Sequence, residues 1–361
     1  MLADALVDRP APATVAPEAG AVVTLAGEAD RGAWEAYVSG HPAATGYHDW
    51  AWRDVIARTF GHASFYLIAR RAGRAEITGV LPLVEIRSRL FGPTLTSLPF
   101  VNYGGVIADR DQEAQALLEC ARDLARRRGC RHVELRHFGR RFETLPCKQH
   151  KVTMRLALAE GIWDRLDRKV RNQIRKATKS GLVVERGGTD LLSDFYTVFA
   201  RNMRDLGTPV YTRRLFEEVL RAFPGRARLV IVRLNGAPIA GGLTFRTGTV
   251  VEVPWASSIN DYNPLCPNHL LYWSVIEAAI ADGCTTLDFG RSTLNEGTYK
   301  FKAQWGAEPV ALHWEYCLLR GDAVPDQSPK NPKLRLFVET WKRLPLWAAN
   351  LIGPRVVRHI P

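Results

Sequence analysis

No Cys-x-x-Cys pair occurs in the 361 residues, and no histidine stands at zinc-finger spacing from the six cysteines Cys120, Cys130, Cys147, Cys266, Cys284 and Cys317. That argues against a zinc module or a disulfide framework and predicts buried, reduced thiols, with no metal bound. No apolar run reaches about eighteen residues, so no helix is expected to span a membrane and residence in the cytoplasm is the default. The opening "MLADALVDRPAPATVAPEAG" has neither the basic start nor the apolar core of a signal peptide, and residues 1–20 read as a disordered lead-in. Also missing are G-x-S-x-G, G-x-x-x-x-G-K-[ST] and H-E-x-x-H. The "DFG" of Asp288 to Gly290 imitates a kinase magnesium loop, but without a Gly-rich phosphate loop or an HRD segment it does not make a kinase. The nine histidines do not cluster, although His41 and His48 lie close together.

Acidic residues are the charge in short supply: 37 Asp and Glu face 49 Lys and Arg, for a net charge of +12 and a pI near 9.6. Such a balance favours an anionic partner, such as RNA, a nucleotide, a phosphorylated lipid or a membrane surface. With 46% hydrophobic and 24% charged residues the chain has a globular composition and is long enough for two or three domains.

What is present reads as mixed α/β. Strands are expected at Phe65 to Arg71 and Ile77 to Ser88, turned at Ala72-Gly73-Arg74, and a strand-loop-strand at Thr96 to Asp109. An amphipathic helix follows, with Ala114, Leu117, Leu118, Ala121, Leu124 and Ala125 on one face and Gly129 as its stop, and then the strand "RHVELRHF". The second half repeats this order. It has a basic helix ending near Gly181, helices from about Leu191 and after Thr212, and three strands turned at Asn235-Gly236 and Thr247-Gly248. The amphipathic helix "NHLLYWSVIEAAIADGC" and the strand "TTLDFG" complete it. Both halves set Gly-Cys before a strand that carries an acid and then a base: Glu134 and Arg136 in one, Asp288 and Arg291 in the other. This weak internal repeat predicts two copies of one α/β unit with a cleft between them. The expected divisions are 21–150, 151–322 and a basic, aromatic tail at 323–361, which either packs on the body or lies on an anionic membrane surface.

Four stretches carry candidate chemistry. The basic helix offers Arg171 for phosphate, with Asn172 able to orient an arginine, or it is simply a solvated face. "PFVNYGG" places Asn102 and Tyr103 beside two glycines that let a ligand approach the backbone, or form a tight turn. "VPWASSINDYNPLCPNHLLYW" leads from Trp255 to Asn268 and His269 at a helix start, where anions are attracted. "LDFGRSTLNEGTYKFKAQWG" packs Asp288, Arg291, Glu296, Tyr299, Lys300, Phe301 and Lys302 into one turn-rich segment.

"VRNQIRKATKSGLVVE", "CPNHLLYWSVIEAAIADGCTTLDFGRS" and "GTYKFKAQWG" resemble the FemAB-like branch of the GNAT superfamily, in particular members associated with exosortase/PEP-CTERM exopolysaccharide systems. The resemblance runs from about Val22 through the tail and implies two tandem GNAT-like acyltransferase domains, the second of them catalytic. The best-known members are peptidyltransferases that move an amino acid from aminoacyl-tRNA to a cell-wall precursor, and their catalytic Phe-Lys pair falls on Phe301 and Lys302. No cofactor is implied beyond a cosubstrate, either aminoacyl-tRNA or acyl-CoA. The long helical-hairpin arm of some relatives is absent, and the loop before Asn268 lacks the glycines of a CoA pyrophosphate loop. The implied reaction is attack by an amine on an activated carbonyl. Lys302, with Tyr299, would meet the oxyanion, and Asp288 or Glu296 would take a proton or orient the lysine. Asn102, Tyr103, Arg171, Asn172, Trp255, Asn268, His269, Arg291 and Phe301 would bind substrate, the two arginines through phosphate or carboxylate. The implied acceptor is anionic or lipid-linked, tRNA is a further partner, and the tail could touch the inner face of the membrane. Two other readings compete: a non-catalytic protein that binds anionic glycan-lipid or RNA, and a conventional acetyl-CoA-dependent N-acetyltransferase.

Overall fold

The computed structural model describes residues 20–88, 92–321, 324 and 332–360. Except for Gly20, the expected lead-in lies outside them. The first half runs β1 (Ala21–Leu25), α1 (Arg31–Gly40), α2 (Trp52–Phe60), β2 (Ser64–Arg71), β3 (Ile77–Ser88), β4 (Gly92–Thr96), β5 (Ile107–Ala108), α3 (Asp111–Arg127), β6 (His132–His137) and β7 (Cys147–Ala157). The second runs α4 (Ile162–Arg165), α5 (Arg168–Lys179), β8 (Val183–Gly187), α6 (Leu192–Asp205), α7 (Arg213–Ala222), β9 (Ala227–Leu234), β10 (Ala237–Thr247), β11 (Val250–Ser258) and α8 (Pro267–Ala281). It continues through β12 (Thr286–Thr293), α9 (Gly297–Ala303) and β13 (Glu308–Leu318) to the terminal helices α10 (Pro332–Lys342) and α11 (Leu346–Val357).

Local chemistry sets the element ends where it was expected to. Asn235 and Gly236 both take positive φ, 50° and 81°, which is the geometry that lets a two-residue turn follow the twist of β9 and β10. Gly61 closes α2 at φ 69° and returns its N–H to the Ala57 carbonyl. Thr212 caps α7 by accepting from the Arg214 N–H.

The strands form one sheet in the order β1-β2-β3-β4-β6-β13-β7-β12-β11-β10-β9-β8, with β5 against β3. Each half has an antiparallel meander followed by one parallel pair across a helical crossover: β4 with β6 through α3, and β11 with β12 through α8. The repeat read from the sequence is therefore structural, and Thr96↔Glu134 corresponds to Glu252↔Asp288. The last strands are exchanged. β7 follows β6 in the chain but pairs with β12, while β13 follows β12 but pairs with β6, and β7 and β13 meet at the centre. β7 thereby runs across the expected division at 150/151.

One face of the sheet shares an apolar core between the halves, with Trp52, Ile56 and Phe60 of α2 meeting Phe216, Val219 and Phe223 at α7. On the other face α8 packs Leu271, Val275 and Ile276 against Leu287 and Phe289, and α5 adds Val170, Ile174 and Ala177. α8 is not the amphipathic helix expected. It is apolar nearly all round because α5 covers the side that would otherwise face water. Residues 297–303, expected as part of a turn-rich rim, form the helix α9. No described helix is long and apolar enough to cross a membrane, and all six cysteines are free.

Candidate functional site

β11 and β12 pair only through Val250↔Thr286, Val251↔Leu287 and Glu252↔Asp288, and beyond that point they part. The cause is a kink in β12. Its register against β7 shifts between Asp288 and Arg291, and Gly290 takes φ 75°. A Cβ on Gly290 would stand 2.8 Å from the Val253 carbonyl oxygen, so glycine is required there both for conformation and for space. Two buried charged groups brace the kink. Asp288 Oδ1 accepts the Gly290 N–H at 2.8 Å and the Thr153 hydroxyl, and Oδ2 accepts from Arg155 Nε at 3.2 Å. From α9, Lys302 Nζ donates to the Gly290 carbonyl at 2.8 Å and the Arg291 carbonyl at 3.1 Å. The ammonium is almost fully buried, and burial pulls its pKa down to about 8 against the opposing attraction of Asp288 and Glu252.

Glu252 lies beside Asp288, equally withdrawn from water. Asn102 Nδ2 donates to Oε1 at 2.6 Å and the Tyr103 hydroxyl to Oε2 at 2.7 Å. The buried Tyr47 hydroxyl lies at the same carboxylate and feels its charge. Burial first, and then the Asp288 charge, push the Glu252 carboxyl up to about 8. A carboxyl raised by folding stabilises the protein below its unfolded value near 4.5, and that contribution is lost as pH rises through about 8. Glu252→Gln resembles the protonated acid, so it is expected to leave the melting temperature unchanged near pH 4.5 and to raise it at pH 8.5. Thermal melts of the two proteins across that range check this, and parallel curves would show that Glu252 is ionised at neutrality.

The opened floor is cationic. The Arg291 side chain keeps an exposed surface while protein crowds its guanidinium, and this crowding, with the charge of neighbouring Arg136, lowers its pKa. Among the described residues the Arg291 guanidinium has no hydrogen bond or ion pair. Arg136 is buried and paired with Glu134 at 2.7 Å. Both guanidiniums stand over the Trp314 ring, at 4.3 Å for Arg136 and 5.3 Å for Arg291. Lys151, which donates to Thr293 Oγ1 at 2.6 Å, also senses Arg291, and its pKa is lowered by burial and by that charge. Tyr211 borders the same group.

The fold thus gathers Asp288, Arg291 and Lys302 at one kink and brings Asn102 and Tyr103 to it through Glu252. Glu296 is exposed at the start of α9, within electrostatic reach of Lys151. Tyr299 is half-buried on α9, one turn before Lys302. Other candidates lie apart from the kink. Phe301 meets His269 edge-on at 5.1 Å, and the imidazole also stacks on Trp305. Burial lowers the His269 pKa to about 4, and its Nε2 lacks a partner. Asn268 donates to Ser258 Oγ at 2.8 Å. Trp255 is buried against Phe216 at 5.4 Å and contributes core packing. Arg171 is half-buried on α5 with its Nε unpartnered, and exposed Asn172 accepts from Arg175. Sequence reasoning passed over Glu252, Lys151 and Trp314. For Glu252 a signal existed: it is the one acid inside the apolar run "VVEVPW".

Residues 165–303 match the family model of an acetyltransferase (GNAT) domain. The fold is similar to the crystal structure of FemX, at TM-score 0.63 and 16% identity over 79% of this chain and 95% of that one. It is also similar to a tandem GNAT protein from the clavulanic acid biosynthesis pathway, at TM-score 0.53 and 13% identity, covering 84% of this chain and 100% of that one. A conserved protein of unknown function from Bacteroides thetaiotaomicron VPI-5482 gives TM-score 0.56 at 11% identity, over 82% and 100%. No curated protein matches by sequence. The FemAB-like GNAT resemblance of the motifs is borne out: the second half carries a GNAT acyltransferase domain, and the whole chain has a tandem GNAT fold.

Proposed function

From that GNAT acyltransferase domain we propose an N-acyltransferase of the FemAB type, which moves an acyl or aminoacyl group onto an amine of an anionic cell-envelope or exopolysaccharide precursor. The observation that carries this reading is the unpaired, solvent-exposed Arg291 guanidinium at the kink that a buried lysine and a buried acid pair brace. A cation without an acid partner suits a phosphate or carboxylate of the substrate.

In the proposed reaction the neutral amine adds its lone pair to the activated carbonyl carbon. The carbonyl π pair moves to oxygen, and collapse of the intermediate expels a thiolate or a tRNA hydroxyl oxygen. Two hydrogens of Lys302 are spent on β12 carbonyls, and its third is the donor available to the oxyanion. Tyr299 is a second donor. Glu252, protonated at neutrality, gives its proton toward the leaving group through the Tyr103 hydroxyl that bonds it and takes the amine proton in return. Asp288 is committed to three partners and positions the kink. Arg171 offers a cation, and Asn268 at the α8 start a helix N–H, to the donor's phosphates, with the neutral His269 next in the chain. The domain match favours acetyl-CoA as a second choice of donor.

The test is mass spectrometry of candidate amines incubated with the purified chain and either acyl-CoA or aminoacyl-tRNA. Acceptor mass increased by one acyl group is expected with one donor class. Tight binding of these ligands with no product in any pairing would overturn the proposal in favour of a binding protein.

A further inference from the structure

α11 is built inside out. Its small residues face the protein: Ala348, Ala349 and Gly353 are buried, and a Cβ on Gly353 would stand 2.9 Å from the Val210 backbone nitrogen. Val357 and Leu346, at its two ends, also turn inward, but the large apolar residues between them face away. Trp347 is 72% exposed, Leu351 55% and Ile352 41%, and Arg355 continues the same stripe at helical spacing. On α10, Leu336 is 74% exposed and Phe337 37%, whereas Trp341 is buried beneath them. A helix that served only to cover the body would bury its large side chains and show its small ones. Three large aliphatic residues and a tryptophan left in water on two consecutive helices form a surface shaped for an apolar partner.

The charges name the partner. Residues 336–360 carry Lys342, Arg343, Arg355 and Arg358 against the single acid Glu339, which pairs with Lys342. Apolar and aromatic residues flanked by cations, on helices too short to span, are the composition of an element lying in the interface of an anionic bilayer. A second copy of the chain fits less well, because a two-fold contact would set the same cations against each other.

The two helices are also tied to the body of the protein. Gly353 packs on Val210, whose neighbour Tyr211 senses Arg291 and meets Phe100 edge-on at 6.2 Å. Arg358 donates to the Phe60 carbonyl at 2.6 Å, His62 donates to the Arg358 carbonyl at 2.8 Å, and His359 donates to the Arg87 carbonyl at 3.0 Å. These bonds fix the end of α11 to the first half. We propose that α10 and α11 seat the protein on an anionic membrane surface. This seat does not rest on the transferase reading above.

Vesicle co-sedimentation of the full chain tests it. The chain should bind phosphatidylglycerol/phosphatidylcholine vesicles, bind pure phosphatidylcholine weakly, and lose affinity as salt rises. Trp347→Ser/Leu351→Ser should weaken binding about a hundredfold, roughly tenfold for each side chain withdrawn from the interface. Both positions are exposed, so thermal melts of the variant should match wild type. Failure of wild type to sediment with anionic vesicles, or equal binding by the double variant, would overturn the seat whatever the transferase assay gives. So would a dimer in sedimentation velocity that the double variant abolishes. If vesicle binding holds and no transfer is found, the function proposal fails and the seat stands.

Discussion

Arg291→Gln should lower kcat/KM about a hundredfold or more while leaving the melting temperature within a degree or two of wild type. The two halves of this expectation have separate causes. Within the described protein the guanidinium makes no hydrogen bond or ion pair, so folding gains little from it. Crowding and the Arg136 charge depress its pKa, so the free protein tolerates the cation rather than using it. An anion that reaches Arg291 meets this cation with no competing acid, and removing a charged partner of this kind costs about 2–5 kcal/mol. The loss should fall mainly on KM for the anionic substrate, and Arg291→Lys should recover only part of it, since an ammonium cannot offer the bidentate fork. Steady-state kinetics with matched thermal melts read both quantities. Unchanged kcat/KM would remove Arg291 from the substrate site.

Lys302→Met tests the brace rather than the receptor. Above pH 8 the amine is largely neutral and still donates to the Gly290 and Arg291 carbonyls. Methionine would leave two buried acceptors unsatisfied, at a cost of about 2–4 kcal/mol. Below pH 8 the native protein also bears the penalty of a buried ammonium, which methionine relieves. The sign follows from linkage. The folded pKa lies below the unfolded value of 10.5, so between about 8 and 10.5 the unfolded chain holds the extra proton and wild-type stability gains with rising pH. The deficit of Lys302→Met should therefore be larger at pH 9.5 than at pH 6.5. Activity should fall at least tenfold at every pH where the variant is folded, because Arg291 sits on the carbonyl that Lys302 holds. Urea denaturation at the two pH values checks the stability difference. An activity loss with no such difference would place Lys302 at the reacting atoms alone.

Asp288, Arg291 and Lys302 could be read together from the sequence because one contiguous stretch carries them all. The hairpin at Asn235-Gly236 and the helix stops at glycine were legible for a similar reason, since a backbone needing positive φ leaves a local mark. The acid pair was harder. Glu252 becomes a buried titrating group only when Asn102 and Tyr103 arrive from the other half, about 150 positions away, and no local pattern records that meeting. The expected amphipathicity of α8 was wrong for the same kind of reason, because the helix that covers its outer face is a tertiary partner. α9 was hidden because Gly297, Thr298 and Tyr299 are weak helix formers, and the Lys302 bonds to β12 hold it in place.

The exchange of β7 and β13 also governs how the chain can be made. When residue 157 has left the ribosome, the first half has its meander and its crossover helix, but the edge of β6 is bare, since its neighbour is β13 at residues 308–318. That edge stays bare through synthesis of more than a hundred further residues, the interval in which unpaired strands are exposed to aggregation. A fragment ending before residue 308 therefore lacks the strand that joins the two halves of the sheet, and the two halves produced as separate polypeptides must trade strands to recover either one. The enzyme body becomes complete only when its penultimate segment is threaded between strands made long before it.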